Sequence, residues 1–235
     1  MYIVTGFYTP NYSEMANTFR QNLDAHSIPH KIYPVERIGS AWIGEPLRKP
    51  SIVLQAMDEY PGIPIALMDV DCTVHGPIDE LFASGADVSL YLRPFKGDRI
   101  HVSSRVIGFQ PTSGSRQLLL KWKELCDNAV KQLGRMQIKR HRLMSRKVIR
   151  DNDEKLLLDA IVDTPNLTIR LLPLGLAGAA PGIVENAIIT HESAHDREAP
   201  PRNPVLKSIR RKLVEVVTGT PYEIWRYGRS SKPWG

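Results

Sequence analysis

Ile63-Pro64-Ile65-Ala66-Leu67-Met68-Asp69-Val70-Asp71 is the stretch on which the reading of this chain turns. The run from Ile63 to Met68 is apolar throughout and follows the turn residues Pro61-Gly62, so it is too short for a helix and shows no polar alternation. Such a run reads as a strand buried on both faces, which belongs in a sheet with helices on either side. Open sheets of that class bind ligands at the carboxyl ends of their strands. Asp69 and Asp71 stand at that end, and two carboxylates one residue apart can both reach a hard cation such as Mg²⁺ or Mn²⁺ if the backbone turns there. The same D-x-D pattern also occurs in ordinary surface turns, so its surroundings must decide.

Working outward, residues 2–8 read as a buried strand, followed by a Pro10-Asn11 turn and a helix over 13–26 with Met15, Ala16, Phe19 and Leu23 at helical spacing. A strand near 31–38 precedes a loop, and Pro50 suits the first turn of a helix that runs to Tyr60. Beyond the aspartates, strands are expected at 87–92, 104–109, 168–172 and 187–190. Helices are expected over 115–133 and from about Asp151, where Leu156, Leu157, Ala160 and Ile161 carry the apolar face. The expectation is a single α/β domain, its sheet flanked by helices, over residues 1–199. Residues 200–235 follow as a Pro-rich linker and a basic amphipathic helical tail.

The 235 residues suffice for one substantial core. Cys72 and Cys126 are too few for a disulfide framework and lack metal-ligand spacing, so they read as reduced thiols of a cytoplasmic protein. No secretory signal opens the chain, and no apolar run is long enough to span a bilayer. The net charge of +6 favours an anionic partner and is concentrated in 135–150 and in the tail. Residues 135–150 contain no aromatic apart from His141, which argues against nucleic-acid binding. The tail segment 205–217 sets Val205, Leu206, Ile209 and Leu213 against Lys207, Arg210, Arg211 and Lys212, a pattern that fits either peripheral membrane contact or packing on its own domain.

From Lys49-Pro50 through Asp69-Val70-Asp71 to Gly76-Pro77-Ile78-Asp79-Glu80-Leu81-Phe82, the chain resembles the donor-binding half of GT-A glycosyltransferases, in the families allied to glycogenin and the bacterial lipopolysaccharide galactosyl- and glucosyltransferases. Those families open the helix before the metal strand with a basic residue, which matches Arg48 or Lys49, and continue to a proline-containing segment ending in Leu-Phe. They also carry H-x-x-G-x-x-K, whose counterpart here is His191-Glu192-Ser193-Ala194-His195-Asp196-Arg197. Ala and Arg replace the Gly and Lys. The resemblance implies a GT-A type Rossmann-like fold, a divalent Mn²⁺ or Mg²⁺ held by Asp69, Asp71 and His191, and a diphosphate contact from Arg197. It implies a nucleotide-sugar donor, a UDP-sugar above others, held by Tyr8 and Thr9 at the nucleoside and by Arg48, Lys49 and Ser104. Asp153 and Glu154 match the pair that stands beside the reacting sugar, although acidic residues at a helix start are also favoured by the helix dipole alone. The acceptor is expected to be a saccharide or a lipid-linked saccharide.

Asp69-Val70-Asp71-Cys72-Thr73 also resembles the first motif of haloacid-dehalogenase-type phosphatases, with Asp69 as nucleophile. That chemistry needs a later acidic pair after another apolar strand, and none follows.

Overall fold

The computed structural model describes residues 1–37, 44–94, 100–137 and 153–192. Among the described residues eight strands are present: β1 (Ile3–Tyr8), β2 (His30–Pro34), β3 (Ile65–Met68), β4 (Cys72–Val74), β5 (Val88–Pro94), β6 (Ile100–Phe109), β7 (Ile169–Leu171) and β8 (Ile189–His191). The α-helices among the described residues are α1 (Ser13–Ala25), α2 (Lys49–Glu59), α3 (Ser113–Gln137) and α4 (Asp153–Val162).

Six strands form one mixed sheet in the order β2-β1-β3-β6-β5-β7. β1 is parallel to both β2 and β3, β6 runs antiparallel to β3 and β5, and β7 is parallel to β5. β3 has the two-faced burial its composition predicts, with all four of its residues buried. Ile65 and Leu67 face a core shared with Val53 of α2, Trp122 of α3 and Leu157 of α4. Ala66 and Met68 face a second core with Phe19 and Leu23 of α1. The period of two therefore distributes one strand between two cores.

β1 and β3 approach closely where they leave the sheet. A Cβ on Gly6 would lie 2.5 Å from the Met68 carbonyl oxygen, so only glycine fits beside the residue that precedes Asp69.

Several boundaries differ from expectation. β2 stops at Pro34, and a final bond from the Val35 amide to the Tyr8 carbonyl ends the pairing where β1 itself ends. β8 lies one to two residues later than the predicted 187–190 and includes His191. β4 is additional; it pairs with β8 as a separate antiparallel ribbon. Asp151, the basic segment beyond 137, Arg197 and the tail from 200 lie outside the described residues. Among the described residues no helix is long and apolar enough to cross a membrane.

Candidate metal and nucleotide site

The site begins where β3 runs out. The Asp69 amide donates to the Arg105 carbonyl of β6 (3.0 Å), the last bond before the chain turns. A turn closed by the Cys72 amide on the Asp69 carbonyl (3.0 Å) then brings Asp71 round and starts β4. In the ribbon Cys72 is opposite His191, so an imidazole far away in sequence arrives beside Asp71 through backbone register. Two further bonds hold it there: the Glu192 amide to the Asp71 carbonyl (3.1 Å) and the His191 amide to the Ala179 carbonyl (2.9 Å). From α1, the Asn22 side chain accepts from the Val74 amide (2.8 Å) and donates to the Val74 carbonyl (2.9 Å), pairing with the other edge of β4.

Ligand atoms of Asp69, Asp71 and His191 lie within 4.8 Å of one another, and His191 Nε2 is 3.1 Å from Asp71 Oδ1. Adjacent ligands of an octahedral ion with bonds of about 2.1 Å are about 3 Å apart, so this pair can serve one cation without rearrangement. Two carboxylates and an imidazole suit Mn²⁺ or Mg²⁺. Nδ1 of His191 is buried without a hydrogen-bond partner among the described residues, so the ring is oriented by the ribbon rather than by a second polar contact. Burial drives the Asp69 carboxyl above the usual carboxylate range; Lys49 opposes the rise and Asp71 adds to it. A dication would relieve that strain between like charges.

Lys49 lies behind the pair, 4% exposed. Its Nζ is 2.9 Å from Asp69 Oδ1, 3.2 Å from Asp153 Oδ2, 2.9 Å from Ser104 Oγ and 3.1 Å from the Ser104 carbonyl. Burial alone would lower the lysine pKa, but the carboxylates of Asp69 and then Asp153 outweigh it and hold the ammonium above its ordinary range. Ser104 Oγ accepts from Lys49 and donates to Asp153 Oδ2 (2.5 Å), while the Asp153 carbonyl accepts from Trp122 Nε1 (3.1 Å). Asp69, Lys49, Ser104 and Asp153 therefore form one buried network joining β3, α2, β6 and α4.

A cleft opens in front of this network. Tyr8, Thr9 and Tyr12 line it at the end of β1, with Glu45 and Lys49 from the segment entering α2 and Asp69 and Asp71 from the end of β3. The sequence candidates divide accordingly. Tyr8 lies in the cleft with the Arg20 guanidinium 4.9 Å above its ring centre. Thr9 is buried, its hydroxyl donating to Asn11. Arg48 turns away, donating to the Glu36 carbonyl (2.9 Å), whereas its neighbour Lys49 enters the site. Of the acidic pair, Asp153 joins the network, while Glu154 affects Lys49 only through its charge. Glu45, Tyr12 and Asn22 were not anticipated. Tyr12 had a signal in its place just after the Pro10-Asn11 turn; a Glu before Pro46 and an Asn on a helix had none.

The chain is thus a mixed sheet between helices, with an Asp-x-Asp and a histidine brought together beyond the end of β3. Comparison with protein-family models and with curated protein sequences gives no match. Among solved structures, a glycosyltransferase involved in the glycosylation of the major capsid of PBCV-1 matches with a TM-score of 0.56 at 12% identity, over 83% of this chain and 95% of that protein. At that identity the likeness speaks for the fold. Apo GlyE of Streptococcus pneumoniae TIGR4 (TM-score 0.43, 13% identity, 86% of this chain and 56% of GlyE) matches more loosely. So does the galactosyltransferase LgtC in complex with donor and acceptor sugar analogs (TM-score 0.41, 9% identity, 95% and 99%). What is shared is the GT-A type fold, with no preference for the branch allied to glycogenin.

Proposed function

We propose that this chain is a metal-dependent glycosyltransferase that moves a sugar from a nucleoside-diphosphate sugar to a saccharide or lipid-linked acceptor. The observation that carries this reading is the convergence of Asp69, Asp71 and His191, with both aspartates lining a cleft that Tyr8 and Tyr12 also line. Tyr8 and Thr9 would receive the nucleoside, uridine by preference, and Arg197 would meet the diphosphate. The domain is assigned to residues 1–199, and the tail 200–235 to peripheral contact with an anionic membrane rather than nucleic acid. The family reading, next to glycogenin and the lipopolysaccharide enzymes, rests on the sequence motifs.

Asp69, Asp71 and His191 would hold Mn²⁺ or Mg²⁺, which when bound supplies positive charge to the departing diphosphate. Cleavage of the bond between the anomeric carbon and the diphosphate oxygen leaves developing positive charge on the sugar. Asp153, held by Lys49 and Ser104, would be the carboxylate that faces that charge. Lys49 holds Asp69 and Asp153 at a fixed separation from behind, and Glu154 adds negative charge in the first turn of α4. The phosphatase alternative fits less well: among the described residues the third ligand-bearing group beside the aspartates is an imidazole rather than a second acidic pair.

The test is sugar release or transfer from a panel of nucleotide sugars with Mn²⁺. Asp71→Ala and Asp69→Ala should each lower turnover by at least about a hundredfold. Turnover that survives both substitutions, or is indifferent to chelator, removes the proposal. For the tail, co-sedimentation with anionic liposomes should be lost on deleting 205–235, and equal binding by both proteins would rule that role out.

A further inference from the structure

The mechanism above leaves Arg105 of β6 unused. Its carbonyl accepts from the Asp69 amide (3.0 Å), which places the residue directly across β3–β6 from the first carboxylate. Gly178 marks how close it also comes to the histidine: a Cβ built on that glycine would lie 3.2 Å from His191 Cβ and 3.8 Å from Arg105 Cβ. Gly178 adopts φ +77°, so the backbone there both requires glycine and leaves the two side chains adjacent.

The guanidinium itself is weakly held. Nη1 makes one long hydrogen bond, 3.4 Å, to the Gly178 carbonyl, and no carboxylate lies within ion-pairing distance of it among the described residues. Arg105 does not line the cleft that Tyr8, Tyr12 and Lys49 line.

A half-buried arginine with no carboxylate partner among the described residues, standing beside a cation site, repels that cation unless an anion joins them. Guanidinium offers paired N–H donors suited to phosphate oxygens. We propose that Arg105 is a phosphate-binding residue of the site, which grips the diphosphate of the donor from beside Asp69 and His191. The assignment rests on the glycosyltransferase reading.

The experiment measures calorimetric binding of inorganic pyrophosphate with Mg²⁺, and of Mg²⁺ alone, to the wild-type chain, Arg105→Gln and Arg105→Lys. Pyrophosphate requires no knowledge of the donor's base. Arg105→Gln should weaken pyrophosphate roughly tenfold to a hundredfold, with Arg105→Lys in between. Mg²⁺ alone should bind Arg105→Gln at least as tightly as wild type, a result that damage to the ribbon would not give. Equal pyrophosphate affinity in wild type and Arg105→Gln overturns the role of Arg105 while leaving the glycosyltransferase reading standing. Loss of Mg²⁺ binding together with pyrophosphate in Arg105→Gln assigns Arg105 to structure and also overturns the proposal. Failure of the wild-type chain to bind Mg²⁺ and pyrophosphate at all overturns the underlying reading instead.

Discussion

Lys49 shows how one side chain can serve both stability and chemistry. A buried ammonium between two carboxylates contributes little compared with a well-packed apolar alternative, but removing it leaves Asp69 and Asp153 facing each other without compensation. Lys49→Met should therefore cost about 3–5 kcal/mol of stability in urea titrations at neutral pH. A loss below about 1 kcal/mol would mean that the carboxylates relax towards water. The pH dependence has a definite sign. The folded lysine pKa lies above the reference value of 10.5, so its contribution is complete below pH 10.5 and is lost as pH rises through the folded value. Tyr33 is also raised, chiefly by burial, and weakens the fold in the same alkaline direction. The comparison of wild type with Lys49→Met isolates the lysine: the gap between them should narrow above about pH 10.5.

At the scale of elements, the decisive feature is the β4–β8 ribbon. The apolar run into Asp69-Val70-Asp71 makes β3 legible, and with it the position of the aspartates, because continuous burial on both faces leaves a strong mark in composition. His191 is legible as a residue at the end of a strand. The ribbon that joins them is not: Cys72–Val74 is three residues long, and its partner is Ile189–His191, far off in sequence. Register between such short segments is a property of the assembled fold. Lys49 and Arg48 were equivalent in sequence, and only the helical phase at the start of α2 turns one into the site and the other towards Glu36. Asn22 gives the ribbon its test. By pairing both backbone groups of Val74 it acts as a third strand for β4, so Asn22→Leu leaves a buried amide and carbonyl unpaired. The expected cost is about 1–3 kcal/mol of stability, with weakened Mn²⁺ binding and unchanged far-UV circular dichroism. Unchanged Mn²⁺ affinity would show that the β8 side alone positions His191.

For the molecule as a whole, the sheet separates two cores, and the candidate ligands lie on a chain path that connects them. β3 contributes to both, while β4 and β8 belong to the core that contains α1. Asp69 and Asp71 follow β3, and His191 ends β8. A cation shared by these three groups would link the central sheet to the ribbon, and since the unfolded chain has no preformed site, binding should stabilise the native state by mass action. At a concentration about a hundred times Kd the gain is about 2.7 kcal/mol. For a chain of this size, about 1 kcal/mol corresponds to a shift of about 2–4 °C, so Mn²⁺ should raise the melting temperature by about 5–10 °C. Chelator should reverse the shift, and Asp71→Ala should abolish it. Asp87→Asn supplies the control: Asp87 accepts from the Thr168 amide and from the Thr112 and Thr168 hydroxyls, away from the cation site. That substitution should lower the baseline melting temperature and leave the Mn²⁺ increment intact. An increment that persists in Asp71→Ala would place the cation elsewhere, and one that disappears in Asp87→Asn would reveal a general response of a weakened fold rather than occupancy of this site.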